Sequence, residues 1–326
     1  MGARANLVLI DGDGLRLHYS HWAADTIGSV LIGGPDPACR FISAQRLCDP
    51  TTEWLDDVWC EGGAVVDLTK RELVYFGDQL LWEVPEKQVY GALLERMWPG
   101  WRIRWAYDGI GDLAAASGVD RSVVRRARRD DRVLPEQVTD DLDDPHLLTV
   151  RTSQGVTVYP LGSWLHTAWQ GPALLDLLPE GGVEQLALTG MPTSGLHIDV
   201  DAHTIGVWIG FTMPGLLPAL VDLWPGWHIE FWQDRYTEQL TRCGDAIDVP
   251  APPRIETLDA VVEHLGKHLG HNPVDSMLSL VEDLHADSGK VQLNPFFTEH
   301  RPVEPTSAEW SAVLHAADQL RADWAA

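Results

Sequence analysis

Trp98-Pro-Gly-Trp101-Arg-Ile-Arg-Trp105 returns later in the chain as Trp224-Pro-Gly-Trp227-His-Ile-Glu-Phe231. Two identical Trp-Pro-Gly-Trp tetrapeptides are improbable by chance, because Trp is rare even in a chain with 15 of them. The match continues without a gap, placing Asp108 on Asp234 and Gly118 on Gly244. Upstream, Val65-Val-Asp-Leu-Thr-Lys-Arg-Glu-Leu-Val-Tyr-Phe76 parallels His197-Ile-Asp-Val-Asp-Ala-His-Thr-Ile-Gly-Val-Trp208. Further back, Leu7-Val-Leu-Ile-Asp-Gly-Asp-Gly-Leu-Arg-Leu-His18 parallels Leu148-Thr-Val-Arg-Thr-Ser-Gln-Gly-Val-Thr-Val-Tyr159. Spacings between blocks differ but their order is kept, as expected of an internal duplication whose loops have drifted.

Each block has a readable local structure. Asp11-Gly12-Asp13-Gly14 lies between two alternating apolar runs, and glycine supplies the positive φ of a tight hairpin turn. Thr69-Lys70-Arg71-Glu72 separates two further strands in the same way. Val89, Leu93, Leu94 and Met97 recur at helical spacing, as do Leu216, Leu220 and Leu223. The Pro-Gly pair then stops each helix, and a short strand follows over 102–107 and 228–233. The expected fold is α+β: two tandem diverged repeats, each an antiparallel sheet built as hairpin, helix, hairpin, helix, strand, with helices on one face. In this reading the Trp side chains of the tetrapeptide pack the helix end onto the sheet.

The expected boundaries are 1–118 for the first repeat, 119–145 for a charged helix and linker, 146–250 for the second repeat and 251–326 for a helical segment. The linker carries six Arg between Asp120 and Arg132, then four Asp in 140–144, a self-compensating surface run. After Pro253 three apolar stripes appear: Leu258, Val261, Val262, Leu265 and Leu269; Met277, Leu278, Leu280, Val281 and Leu284; and Trp310, Val313, Leu314 and Leu320. Three short helices are near the lower limit for an independent domain, so they are expected to pack on the second repeat.

Composition restricts the function classes. The formal charge is −24, from 48 acidic against 24 basic residues, and it opposes general binding to nucleic acid or an anionic membrane. Sixteen of the 24 Lys and Arg precede residue 151, so the second half is the better surface for a basic protein partner. No apolar run approaches a membrane span, and the apolar run Leu7–Ile10 reads as a first strand and not as a signal-peptide core. Cys39, Cys48, Cys60 and Cys243 show no Cys-x-x-Cys pairing, which fits reduced thiols in the cytoplasm. No phosphate-loop or dinucleotide spacing of glycines is present, and no cofactor is expected.

In a duplicated chain, polar clusters found in only one copy are the candidates for function. The first copy carries His18-Tyr19-Ser20-His21-Trp22 and Trp54-Leu-Asp56-Asp57-Val-Trp59-Cys60-Glu61. His21 beside Asp57 or Glu61 would make an oriented general base, with Cys60 or Ser20 as nucleophile. Trp22, Trp54, Trp59 and His18 would line the same place as binding residues. A lesser candidate is His264, His268 and His271, whose spacings of four and three put three imidazoles on one side of a helix, as zinc would need. That side lies off the apolar stripe and has no neighbouring Cys or Glu motif, so exposed histidines are the stronger reading, and no metal is expected. Two functions follow: a non-catalytic binding or regulatory protein of the immunity type that meets a basic partner, or a hydrolase or transferase working through His21, Asp57, Cys60 and Glu61.

Overall fold

The computed structural model describes residues 2–126, 145–162, 166–178, 180–250, 252–267, 274, 278 and 305–326. It is a mixed α+β chain in two units, one made of Met1–Leu81, Pro85–Arg126 and Pro253–Ala326, the other of Trp82–Val84 and Ala127–Pro252.

In the first unit, strands β1 (Ala5–Asp11) and β2 (Gly14–Ser20) form a hairpin whose turn ends on Gly14 at φ 113°. Helices α1 (Ile27–Leu31) and α2 (Pro35–Ala44) and strand β3 (Arg46–Cys48) follow. A second hairpin, β4 (Gly62–Asp67) and β5 (Glu72–Phe76), leads through α3 (Val84–Met97) to β6 (Arg102–Trp105) and α4 (Ile110–Ala116). The strand order is β3-β2-β1-β4-β5-β6.

The second unit also contains two hairpins joined in one sheet. Its hairpins are β7 (His146–Thr152) with β8 (Gly155–Leu161), and β10 (Ser194–Asp199) with β11 (Thr204–Ile209). Between them runs β9 (Leu186–Ala187), and after them α5 (Leu216–Leu223), β12 (His228–Phe231), α6 (Tyr236–Cys243) and β13 (Ile247–Asp248). The main sheet is ordered β12-β11-β10-β7-β8, and β9 pairs with β13 in a separate two-stranded ladder.

One expectation is corrected here: the sheets are mixed, not antiparallel. Within each hairpin the strands are antiparallel, but β1 pairs with β4, β5 with β6, β7 with β10 and β11 with β12 in parallel. The reason is connectivity. Between β5 and β6 and between β11 and β12, helices α3 and α5 carry the chain back to the same end of the sheet, so the incoming strand runs in the same direction as its neighbour.

The tetrapeptides do structural work in both units. Trp98 is 1% exposed and its indole N–H donates to the Leu31 carbonyl at 2.8 Å; Trp224 is 1% exposed and donates to the Ala168 carbonyl at 2.8 Å. Each stacks edge-on against the second Trp, with ring centroids 4.8 Å apart for Trp98–Trp101 and 5.2 Å for Trp224–Trp227. The glycines between them sit at φ 78° and 81°, a conformation that side-chain-bearing residues rarely adopt.

A second correction concerns the tail. Helices α7 (Arg254–Lys267) and α8 (Ser307–Ala325) group with the first unit, not the second. Ser29 Oγ donates to the Leu265 carbonyl at 3.3 Å, Arg40 pairs with Glu309 at 2.8 Å, and Arg96 pairs with Asp323. The basic residues concentrated in the first half supply those partners, while Leu258, Val261 and Leu265 supply a fully buried face. The linker boundary also shifts, because Arg121–Val124 forms a 3-10 helix that belongs to the first unit. The second apolar stripe of the tail, apart from Leu278, and the acidic run 140–144 lie outside the described residues. Among the described residues no helix is long and apolar enough to cross a membrane.

Candidate functional site

The first-unit candidates lie near one end of the sheet, where Ser20 and Gly62 both pair with Ala5, but each is committed to a partner of its own. His21 is 3% exposed and its Nδ1 shares a 2.7 Å hydrogen bond with the Tyr19 hydroxyl. Asp57 accepts from Arg125 at 3.3 Å and from the Arg126 backbone N–H at 3.1 Å, and its own N–H donates to the Val124 carbonyl. Cys60 is buried with its Sγ against the Gly62 carbonyl at 3.2 Å, and burial pushes its thiol up to about 12. Glu61 accepts the Arg4 backbone N–H at 2.9 Å.

The binding candidates divide between interior and surface. His18 is buried, its Nδ1 is 3.2 Å from the Gln45 carbonyl, and desolvation lowers its pKa. Trp22 lies edge-on to His21 with centroids 4.9 Å apart, and Trp54 donates its indole N–H to the Pro50 carbonyl at 2.9 Å. Trp59 is 48% exposed, with the Arg4 guanidinium 4.6 Å over its ring. Val58 and Val123, on the two segments that the Asp57–Val124 hydrogen bond joins, are 55% and 52% exposed.

The described part of the Arg-rich run, Arg121 to Arg126, pairs with acids of the first unit. Arg125 bridges Asp57 and Asp108, whose side chains are each 1% exposed, while Arg121 pairs with Asp108 at 3.1 Å and Asp112 at 2.7 Å. Of the histidine triplet, His264 lies 3.3 Å from the buried Asp78 carboxylate, whereas His268 and His271 lie outside the described residues. Among the described residues no group of three or more His, Cys, Asp or Glu is arranged to hold a metal.

The second unit contains a polar cluster that sequence reasoning passed over. Thr149 on β7 faces His197 on β10, with Oγ1 and Nδ1 2.9 Å apart. Cys243 Sγ lies 3.8 Å from the same Nδ1. Gln239, fully buried on α6, donates from Nε2 to Thr149 Oγ1 at 2.8 Å and accepts the Trp208 indole N–H on Oε1 at 2.6 Å. At the corresponding rung of the first sheet stand Val8 and Val65, with Leu113 of α4 lying over Gly63 as Gln239 lies over Gly195. An apolar contact in one unit is thus a hydrogen-bonded network in the other. The signal was present in the aligned blocks, where His197 falls on Val65, but a lone His in a strand carries no sign of its neighbours.

Thr149 Oγ1 thus accepts from Gln239 Nε2, shares a hydrogen bond with His197 Nδ1, and lies 3.5 Å from the Leu196 carbonyl as a further acceptor for its proton. Burial lowers His197 to about 4, so the ring is neutral at physiological pH. Burial raises the Cys243 thiol, while the Thr149 hydrogen bond and the Arg151 charge pull it back. Cys243 also lines a cavity of about 570 Å³ together with Arg151, Gln154, Glu184, Gln185 and Asp245.

A second buried group lies at the other end of β7, where His146 bonds Ser194 Oγ and Thr167 Oγ1, each at 2.8 Å, and its ring is 4.6 Å from that of His166. All four residues are at most 1% exposed, which gives this cluster the character of a polar core. Compared with known proteins, the chain matches no family model, no curated protein and no solved structure.

Proposed function

We propose that the chain is a non-catalytic binding or regulatory protein that docks a basic protein partner, in the manner of an immunity protein, in the cytoplasm. It is built from two diverged copies of one module, a reading supported by the shared strand order and the shared pattern of parallel and antiparallel pairs in the two sheets. One observation carries the functional reading. Within the segment Asp56–Glu61, Asp57, Cys60 and Glu61 are bonded into the fold, while Trp59 stays 48% exposed next to Val58, and Val123 is exposed on the segment hydrogen-bonded to Asp57. The segment presents contact surface in place of reacting groups. Exposed Trp with aliphatic neighbours is the composition of interface centres, and a charge of −24 draws a basic partner to the chain as a whole.

The test is affinity capture from the source cells with wild type and with the Trp59→Ala, Val123→Ser double variant. A partner of high isoelectric point, captured by the wild type at low salt and lost at least tenfold by the variant, is the expected result. If the variant retains every partner at unchanged affinity, the reading fails.

A further inference from the structure

We propose that the outer face of α5 and of the adjoining 3-10 turns Thr167–Asp176 docks a basic amphipathic helix of a partner protein. The two elements lie against each other: the Trp224 indole N–H donates to the Ala168 carbonyl, and a side chain at Gly171 would run into the Leu223 carbonyl. The first unit makes the same two contacts. There the Trp98 indole donates to the Leu31 carbonyl, and a side chain at Gly34 would run into the Met97 carbonyl. Leu31 and Ala168 each precede their glycine by three residues, and a proline follows each glycine. Both glycines take positive φ, 96° at Gly34 and 64° at Gly171. The inference rests on this local correspondence, which belongs to the module reading above, and not on Trp59.

In the first unit that face is occupied by a helix. Glu309 of α8 pairs with Arg40 of α2 at 2.8 Å, and Asp323 of α8 pairs with Arg96 of α3. Val313, Ala317 and Leu320 of α8 are buried. In the second unit the corresponding positions are open, with Val221 72% and Leu177 51% exposed. Counted from its glycine, Leu177 takes the place of Arg40; counted back from its Trp, Asp222 takes the place of Arg96 and Val221 that of Glu95. Two cations that hold an acidic helix are thus replaced by an aliphatic side chain and a carboxylate.

Those replacements select the occupant. An acidic helix such as α8 would meet Asp222, and Asp176 beside Leu177, as like charges, so neither this chain's own tail nor that of a second copy suits the face. A helix flanked by Lys or Arg meets opposite charge at both places. The wider segment repeats the preference: between Arg151 and Arg235 there is no Lys or Arg, against eight Asp and Glu. Leu177 and Val221, with half-buried Leu175 and Leu217, supply apolar contact for the helix stripe. An amphipathic helix laid by its apolar side on such a surface is a recurrent mode of recognition.

The experiment uses the full chain and a synthetic Leu/Lys amphipathic helix of 19 residues, the length of α8, at about 0.15 M salt. Fluorescence anisotropy should show saturable binding, and hydrogen exchange should show new protection over 167–178 and 216–223. The same peptide with Glu in place of Lys should not bind. Leu177→Ser with Val221→Ser, both at exposed positions, should weaken the Lys peptide about tenfold. Leu177→Arg with Asp222→Arg, which installs the first unit's pair of cations, should lose the Lys peptide and bind a peptide of residues 305–326. Trp59→Ala with Val123→Ser should leave the Lys peptide unaffected, so the two surfaces fail separately. Unchanged affinity in the serine variant, protection elsewhere, or no saturable binding overturns the site. A dimer in sedimentation that the serine variant dissolves overturns the occupant in favour of a second copy.

Discussion

His146, His166 and His197 are all buried in the second unit and all kept neutral by desolvation, His166 and His197 down to about 4. An unfolded chain takes up a proton on each near 6.5, whereas the native state refuses it until far lower pH. Between those values the unfolded state binds more protons, so their contribution is complete above 6.5 and lost as pH falls toward 4. Each of the two quantified histidines therefore withdraws on the order of 3 kcal/mol across that window. Hydrogen exchange read by mass spectrometry from pH 7 to 4 should show β7 and β10 losing protection ahead of β1 and β4; equal loss in both sheets would refute the assignment. Nothing in the residue string distinguishes these histidines from exposed His228, because burial is a property of what folds over a side chain and not of the side chain itself.

At the level of elements, local signals were legible wherever backbone stereochemistry set them. The glycine-bearing hairpin turns, the stop after each Trp-Pro-Gly-Trp helix and the short strands that follow all appear, and α3 ends at Met97 as its periodicity and breaker require. What the pattern could not contain was the destination of the Arg-rich segment after α4. Its charges looked balanced by nearby Asp in the linker, yet Arg125 reaches Asp57, far away in sequence, and Asp108. Removing one partner from a nearly buried ion pair strands the other charge, at a cost of about 3 kcal/mol. Arg125→Ala should lower the urea midpoint accordingly and abolish exchange protection of the 3-10 helix Arg121–Val124; a midpoint shift below that of a surface ion pair, about 0.5 kcal/mol, would contradict it. The same variant should also loosen the Asp57 loop that carries Trp59, since Asp57 is held by Arg125 and Arg126 together.

For the whole molecule, the tail is the instructive element. Deletion after Pro252 uncovers the face that Leu258, Val261, Leu265, Val313 and Leu320 cover in the first unit. The truncated chain should lose exchange protection in α1 and α2 while β7, β8, β10 and β11 keep theirs; loss confined to the second unit would show the opposite docking. The amphipathic stripes of α7 and α8 state that these helices need a covering surface, and the turn, stripe and breaker signals state the order of strands and helices in each unit. Both are local properties, written in periodicity, turn glycines and breaker pairs, and a chain carries them wherever it goes. The surface the tail covers, the parallel pairing of β1 with β4, the ion pairs of Arg125 and the meeting of Thr149, His197, Gln239 and Cys243 are contacts between residues far apart in sequence. Such contacts are settled by shape, charge and burial once all elements pack together, so no stretch of the string holds them.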